Sequence, residues 1–263
     1  MKKALLGLLG IMLTATFVPS VAKAEIGGWS LAVTPYLWGA GIDGTVTVGG
    51  HSAEVSRSFD ELLKSLDLAG MINLQARTGR FGLYSDVAFI GLSDSTSVKD
   101  PATGATLLNA TASIDEWLVD FGASWAVAQW GAGGTGTKGI VDLFLGGRYW
   151  SVATELKADS PFFAGEPSVK KTVDWVDPIV GARLSVDVTP KLELIGRGDV
   201  GGGLGGSTSK LTWSASALLG WHFTPLLSAY AGWKYLSVER EGDRGSTVDL
   251  AMSGPVLGLA FTF

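Results

Sequence analysis

Apolar and polar residues alternate along most of this 263-residue chain. Phe81, Leu83, Val87 and Phe89 share one parity, as do Trp117, Val119, Phe121, Trp125 and Val127. Leu211, Trp213, Ala215, Ala217, Leu219, Trp221 and Phe223 form a third such series. A period of two is that of a β-strand with one face in an apolar medium. The pattern predicts strands over 29–41, 68–78, 81–95, 107–128, 139–156, 172–189, 192–202, 210–223, 228–240 and 247–263. Tight turns at Gly79-Arg80, Pro190-Lys191 and Thr224-Pro225-Leu226-Leu227, with a longer glycine-rich one at 129–138, alternate with loops at 42–67, 96–106, 157–171, 203–209 and 241–246. Short turns on one side and longer loops on the other are the asymmetry of a membrane barrel, and an even strand number puts both termini on the turn side, the periplasm. The expected fold is all-β: an antiparallel up-and-down transmembrane β-barrel of about ten strands. Eight or twelve strands remain open, because Thr45–Val48 and Ala53–Ser56 can form an extra hairpin.

One segment breaks the alternation. Ser58-Phe59-Asp60-Glu61 fits a capping box, and Phe59, Leu62, Leu63 and Leu66 follow at helical spacing. A short amphipathic helix is expected in the first outer loop, packed on the rim or the outer leaflet, or else acting as a lid.

The parity opposite the apolar one carries charge. Arg77, Asp86, Glu116, Asp120, Asp142, Arg148, Asp177, Arg183, Glu193, Arg197, Asp199 and Lys234 all fall there. An arginine or lysine facing lipid at the midplane costs about 2–4 kcal/mol, so these side chains are expected to form a lumen charge network. Two arrangements stay open: mutual pairing that plugs a narrow barrel, or a half-open pore that prefers cations because acids outnumber bases. Aromatics gather at strand ends, with Trp29, Phe81, Trp125, Trp221, Phe223 and Phe263 toward the periplasmic end and Trp38, Phe89, Trp117 and Trp213 toward the outer end. Two belts are expected where amphipathic rings sit at headgroup level.

Composition narrows the class. Mean hydropathy is positive, yet no apolar run after the first 24 residues is long enough for a membrane helix, so apolar residues are spread over short strands. The 37 glycines and 10 tryptophans fit that reading. At the start, Lys2 and Lys3, an apolar run from Ala4 to about Val18, and Ala22-Lys23-Ala24 read as a signal peptide over 1–24 cut after Ala24, ahead of a barrel domain over 25–263. A transmembrane anchor is the weaker reading, since the run falls short of the roughly 20 residues a bilayer helix needs. Loss of Lys2, Lys3 and Lys23 leaves 17 basic against 25 acidic residues, a formal charge of −8 that disfavours nucleic acid. With no cysteine, disulfide, thiol and Cys-metal chemistry are excluded.

Candidate chemistry is thin. His51 lies in the first outer loop near Asp43, Ser52 and Glu54, and His222 lies near a periplasmic strand end. Catalysis needs a His held by an acid beside a nucleophile or water. Barrel hydrolases place that group at the outer rim, which suits His51 and not His222. Two distant histidines make no metal motif, so no cofactor and no metal are expected. Gly201-Gly202-Gly203-Leu204-Gly205-Gly206 satisfies the dinucleotide pattern literally but leads into a strand, not a helix. Gly131 to Lys138 has Thr137 where a phosphate loop needs Lys, and reads as a turn. Asn109-Ala110-Thr111 is a glycosylation triplet inside a predicted strand.

The last residues, with Leu257, Leu259, Phe261 and Phe263 alternating up to a terminal Phe, resemble the C-terminal signature of Gram-negative outer-membrane barrels. In that family the assembly machinery reads this segment. Thr34-Pro35-Tyr36-Leu37-Trp38-Gly39, Asp177-Pro178-Ile179-Val180-Gly181-Ala182-Arg183, Gly196-Arg197-Gly198-Asp199-Val200-Gly201-Gly202 and Gly254-Pro255-Val256-Leu257-Gly258-Leu259 extend the likeness. They resemble a largely uncharacterised proteobacterial outer-membrane β-barrel family, porin-like in the loose sense and akin to small OmpA-, OmpX- and OmpW-type barrels. The resemblance implies outer-membrane localisation, with outer-membrane lipid, lipopolysaccharide and the barrel assembly machinery as partners. It implies no catalytic residues. The peptidoglycan-binding domain that follows the barrel in full OmpA proteins is not expected, and a monomer is. The expected function is non-enzymatic: structural, or a narrow passive channel for small, preferably cationic, solutes. A hydrolase or lipid-modifying enzyme, and a surface binder acting through its outer loops, are the alternatives.

Overall fold

The computed structural model of the chain describes residues 28–48, 50–99, 106–131, 137–159, 167–205, 208–242 and 245–263. The leader expected over 1–24 lies outside them. Twelve strands and one helix follow in order: β1 Ser30–Trp38, β2 Gly41–Val48, β3 His51–Arg57, α1 Phe59–Lys64, β4 Leu66–Thr78, β5 Phe81–Lys99, β6 Thr106–Trp130, β7 Lys138–Asp159, β8 Ser168–Thr189, β9 Leu192–Gly201, β10 Leu211–His222, β11 Leu227–Glu241 and β12 Thr247–Thr262.

Ten of these strands, β1 and β4 to β12, pair antiparallel with their neighbours, and β1 pairs back on β12 to close the ring. Closure leaves no open edge in the apolar zone, where an unpaired backbone group would be costly. The remaining two strands form a hairpin at the loop side. β2 continues the line of β1 along β12, pairing Gly41–Thr47 with Ser253–Thr247, and β3 pairs on β2. The predicted first outer loop over 42–67 is thus mostly strand: the ladder of β12 outruns β1 and offers pairing partners to the chain beyond Trp38. The first predicted strand accordingly ends at Trp38.

Helix α1 begins at Ser58, whose Oγ accepts from the Glu61 N–H while Glu61 Oε2 accepts from the Ser58 N–H at 2.9 Å. Its Phe59 ring lies against Gly39, close enough that an added Cβ would sit 3.3 Å from it. The helix therefore packs on the bend between β1 and β2 at the rim. The turn side is tight. Gly79, at φ 54°, occupies the left-handed position of the two-residue turn between β4 and β5.

The outward face carries the predicted apolar series. Leu145, Val180, Leu83, Phe121, Leu219 and Leu257 are all widely exposed in the isolated barrel, which is how a lipid-facing side chain presents itself. Trp125, Trp221, Phe223 and Phe263 stand outward toward the turn side, and Trp117 and Trp213 nearer the loop side. Trp38 corrects the expected outer belt. It shares the inward parity of Tyr36, is 5% exposed, and packs inside the barrel. The other parity turns inward and fills a core contributed by β1, β4, β5, β6, β7, β11 and β12.

Candidate functional site: the barrel interior

The lumen is divided into a packed septum toward the loops and a cavity toward the turns. The septum begins with Tyr36, Trp38, Met71, Ala88, Leu118, Trp150, Leu236, Val238, Met252 and Val256, one contiguous buried cluster. Trp150 extends it to β8, stacking on its cross-strand partner Trp175 with centroids 5.4 Å apart and planes at 10°. Aromatic pairs facing each other across a ladder stabilise both the pair and the register.

Polar groups complete the septum where β7 to β10 meet. Arg148, 1% exposed, donates from Nε and Nη2 to the two oxygens of Asp120 at 2.7 and 2.9 Å. The same Nη2 reaches Asp199 at 2.9 Å, and Nη1 donates to Thr212 Oγ1 at 3.1 Å. The fork geometry of a guanidinium suits such bidentate contacts. Beside it, Asp177 is fully buried and accepts from the indole N–H groups of Trp150 and Trp175, both at 3.1 Å, and from the N–H and Oγ of Ser209. Four donors satisfy a carboxylate that no described cation pairs with directly. Ser209 belongs to the loop between β9 and β10, so this loop end is drawn into the barrel.

Below the septum lies a cavity of about 240 Å³. Its wall carries a relay of hydrogen bonds. Tyr36 Oη and Asn73 Nδ2 donate to Asp86, Gln75 Nε2 donates to Asn73 Oδ1, and Arg183 Nη1 donates to Gln75 Oε1 at 2.5 Å. Arg77 binds Asp142 through Nη2 at 2.8 and 2.7 Å. Lys234 Nζ stands 3.9 Å from Asp86 and 4.9 Å from the Trp38 ring centroid. Arg197 lies over the Phe144 ring at 4.4 Å and the Tyr84 ring at 4.9 Å.

All twelve charged residues of the expected network lie on inward positions, but they do not all pair. Arg77 pairs with Asp142, and Arg148 with Asp120 and Asp199. Arg197 stands 3.7 Å from Asp120 and Asp199. Asp177 and Glu193 are held by neutral donors, Arg183 bonds to Gln75, and Glu116 takes part in no described ion pair.

One cluster escaped the sequence reading. Asp187 and Glu193 face each other across the turn of β8 and β9, and with His222 they bring three ligand atoms within 4.8 Å of one another. His222 Nδ1 shares a hydrogen bond with Ser228 Oγ at 2.7 Å, which leaves Nε2 3.7 Å from Glu193. Glu193 also accepts from Ser185 and from Tyr230 Oη. With its oxygens so committed, the set braces two turn-side hairpins. The signal was the matching parity of Asp187 and Glu193 about the Pro190-Lys191 turn. His51, by contrast, sits exposed in the β2–β3 hairpin. Among the described residues no carboxylate pairs with it, Ser56 donates to Asp43, and Ser52 bonds Thr47.

Leu257 and Phe261 point outward on β12, and Phe263 does so just past its end, with Leu259 on the same parity and partly covered. Phe263 exchanges backbone hydrogen bonds with Leu31 at 3.0 and 2.7 Å, so the chain end closes the ring.

No family model matches the chain, and no curated protein does. Among solved structures, the outer membrane protease OmpT from Escherichia coli is similar at 10% identity over 93% of this chain and 99% of that one, with a TM-score of 0.55. The transport unit of the autotransporter AIDA-I from Escherichia coli and the Yersinia pestis attachment invasion locus protein Ail match at 11% and 13% identity, with TM-scores of 0.37 and 0.32. They cover 98% and 90% of this chain, and the matches span 97% and 99% of theirs. The closed ten-strand ring, its apolar outer face and the OmpT match agree: this chain has the outer-membrane β-barrel fold.

Proposed function

We propose that the protein is a non-enzymatic outer-membrane barrel with a closed lumen, a structural element of the envelope rather than a solute channel. The septum carries this reading. Trp150, Leu236, Arg148, Asp177 and Thr212 are each at most 2% exposed although they lie inside a barrel. A ten-strand barrel is only modestly wider than the eight-strand size that side chains fill. Opening a path would strip Arg148 of its carboxylates and Asp177 of its hydrogen-bond donors, which strongly opposes spontaneous opening.

A second reading, surface binding, is favoured by strand length. β5 to β8 run 19, 25, 22 and 22 residues, where a bilayer needs about 9–11. They build a wall that projects on the loop side.

Conductance of the refolded chain from residue 25 onward in a planar bilayer tests the closed lumen, with heat-modifiable migration confirming the folded barrel. No steady openings are expected. Steady openings from the wild-type protein would replace this reading with passive solute passage.

A further inference from the structure

We propose that the turn-side cavity binds a small oxyanion of the phosphate type. Arg183 and Arg197 are direct cross-strand partners on β8 and β9, both facing inward. Like charges in that relation repel, so something must hold them together. Arg197 is fixed between two rings, and its nearest carboxylates, Asp120 and Asp199, stand 3.7 Å away while already bonded to Arg148. Among the described residues no carboxylate lies within salt-bridge distance of Arg183, whose hydrogen-bond partner is the neutral Gln75.

The donors themselves point to the missing partner. Arg77 Nη1, Arg183 Nε, Arg197 Nη2 and Tyr84 Oη are all buried with no acceptor at hydrogen-bond distance among the described residues, Asp120 standing 3.7 Å from Arg197 Nη2, and all four residues line the same cavity. Buried donors without acceptors are rare, and a group of four in one space calls for a ligand rich in acceptors. On the cavity lining Arg77, Arg183, Arg197 and Lys234 stand against Asp86, Asp120 and Asp142, with Asp199 3.7 Å from Arg197, and both Asp120 and Asp199 are shared with Arg148. Water would supply acceptors but no charge. A tetrahedral oxyanion supplies both, with oxygens on several sides for forked guanidinium donors. The cavity lining extends to Ala32 and Thr262 at the turn-side ends of β1 and β12, so the ligand would come from that side.

The test is calorimetric titration of the refolded barrel with inorganic phosphate in a phosphate-free maltoside, with chloride holding ionic strength constant. Saturable phosphate binding is expected, weakened at least about tenfold in Arg183→Gln and Arg197→Gln and unchanged in Lys191→Gln, a turn lysine away from the cavity. No saturable binding, or equal affinity in Arg183→Gln, overturns the proposal. Should the arginine variants not fold, the wild type decides alone: phosphate must raise its unfolding midpoint above that in matched chloride, and no rise overturns the site. A competition arm with short-chain phosphatidylglycerol identifies the source. Displacement of phosphate means a lipid headgroup is accepted, no displacement means the free anion is, and either supports the site. Conductance and phosphate binding are separate readouts, so the closed lumen and the anion site can fail independently.

Discussion

Asp177 of β8 takes two hydrogen bonds from Ser209, from the backbone N–H at 2.6 Å and from Oγ at 2.7 Å, across 32 residues of sequence. This ties the loop after β9 to the stacked Trp150 and Trp175, whose indoles share the same carboxylate. The contact turns an acid that faces neither lipid nor water into the anchor of the septum.

Asp177→Ala would strand the Trp150 indole N–H and the Ser209 backbone N–H in a dry interior, while the Trp175 indole keeps Ser209 Oγ as an acceptor at 2.9 Å. Each such group costs about 1–3 kcal/mol, so the variant is expected to lose about 3 kcal/mol or more in urea unfolding of the refolded barrel. Ser209→Ala removes the hydroxyl's bond to Asp177 and its acceptance from the Trp175 indole, which keeps Asp177, and should cost about 1 kcal/mol. Equal, negligible effects in both would mean that the loop is not anchored there.

Arg148→Ala leaves the buried Asp120 and Asp199 without the cation they bond, with only Arg197 at 3.7 Å beside them. The expected loss is about 3–5 kcal/mol. Arg148→Met combined with Asp120→Asn and Asp199→Asn removes all three charges at once and should restore most of it. A triple variant no more stable than Arg148→Ala would show that packing of the guanidinium, and not charge, holds the septum.

Leu145→Arg tests the lipid face. Leu145 is 69% exposed and sits in the middle of β7 between Ala123 and Val180. A charge there should cost about 2–4 kcal/mol when unfolding is followed in lipid vesicles. No loss would place this part of β7 outside the bilayer.

Glu61 gives helix α1 a pH dependence. The Ser58 backbone N–H holds its carboxyl below the ordinary glutamate range. An acid whose folded pKa is depressed contributes stability above its unfolded pKa and loses it as pH falls through the folded value. The protection of α1 amides against exchange, taken relative to their intrinsic rates, should therefore fall on acidification below the usual carboxylate range, and Glu61→Gln should flatten that response. An unchanged profile in the variant would remove the capping box as its cause.

Deletion of Phe263 should lower the amount of assembled barrel in cells more than it lowers refolding of the purified chain. Its backbone bonds to Leu31 close the ring in both settings, whereas the assembly signal proposed for it would operate in cells alone. Equal losses would assign Phe263 to closure only.

The alternation along the chain determined the ten strands of the ring and the face most of their residues take, because a two-residue period needs no knowledge of neighbours, whereas the β2–β3 hairpin stood only as an alternative. Leu83 and Trp213 were legible as lipid-facing and Arg148 and Asp177 as inward for that reason, and Ser58 and Glu61 announced α1 by their own spacing. Trp38 was misplaced because aromatic identity was weighed above its shared parity with Tyr36. What the tertiary structure decided is who meets whom. Parity puts twelve charges inside but says nothing of depth, which depends on strand stagger and ring closure. Hence Arg148 meets two acids while Arg183 meets none among the described residues, and Glu193 finds His222 and Tyr230 instead of an arginine. The division of the lumen into septum and cavity is likewise a property of the closed ring, since each level is assembled from residues of many strands that no local pattern relates.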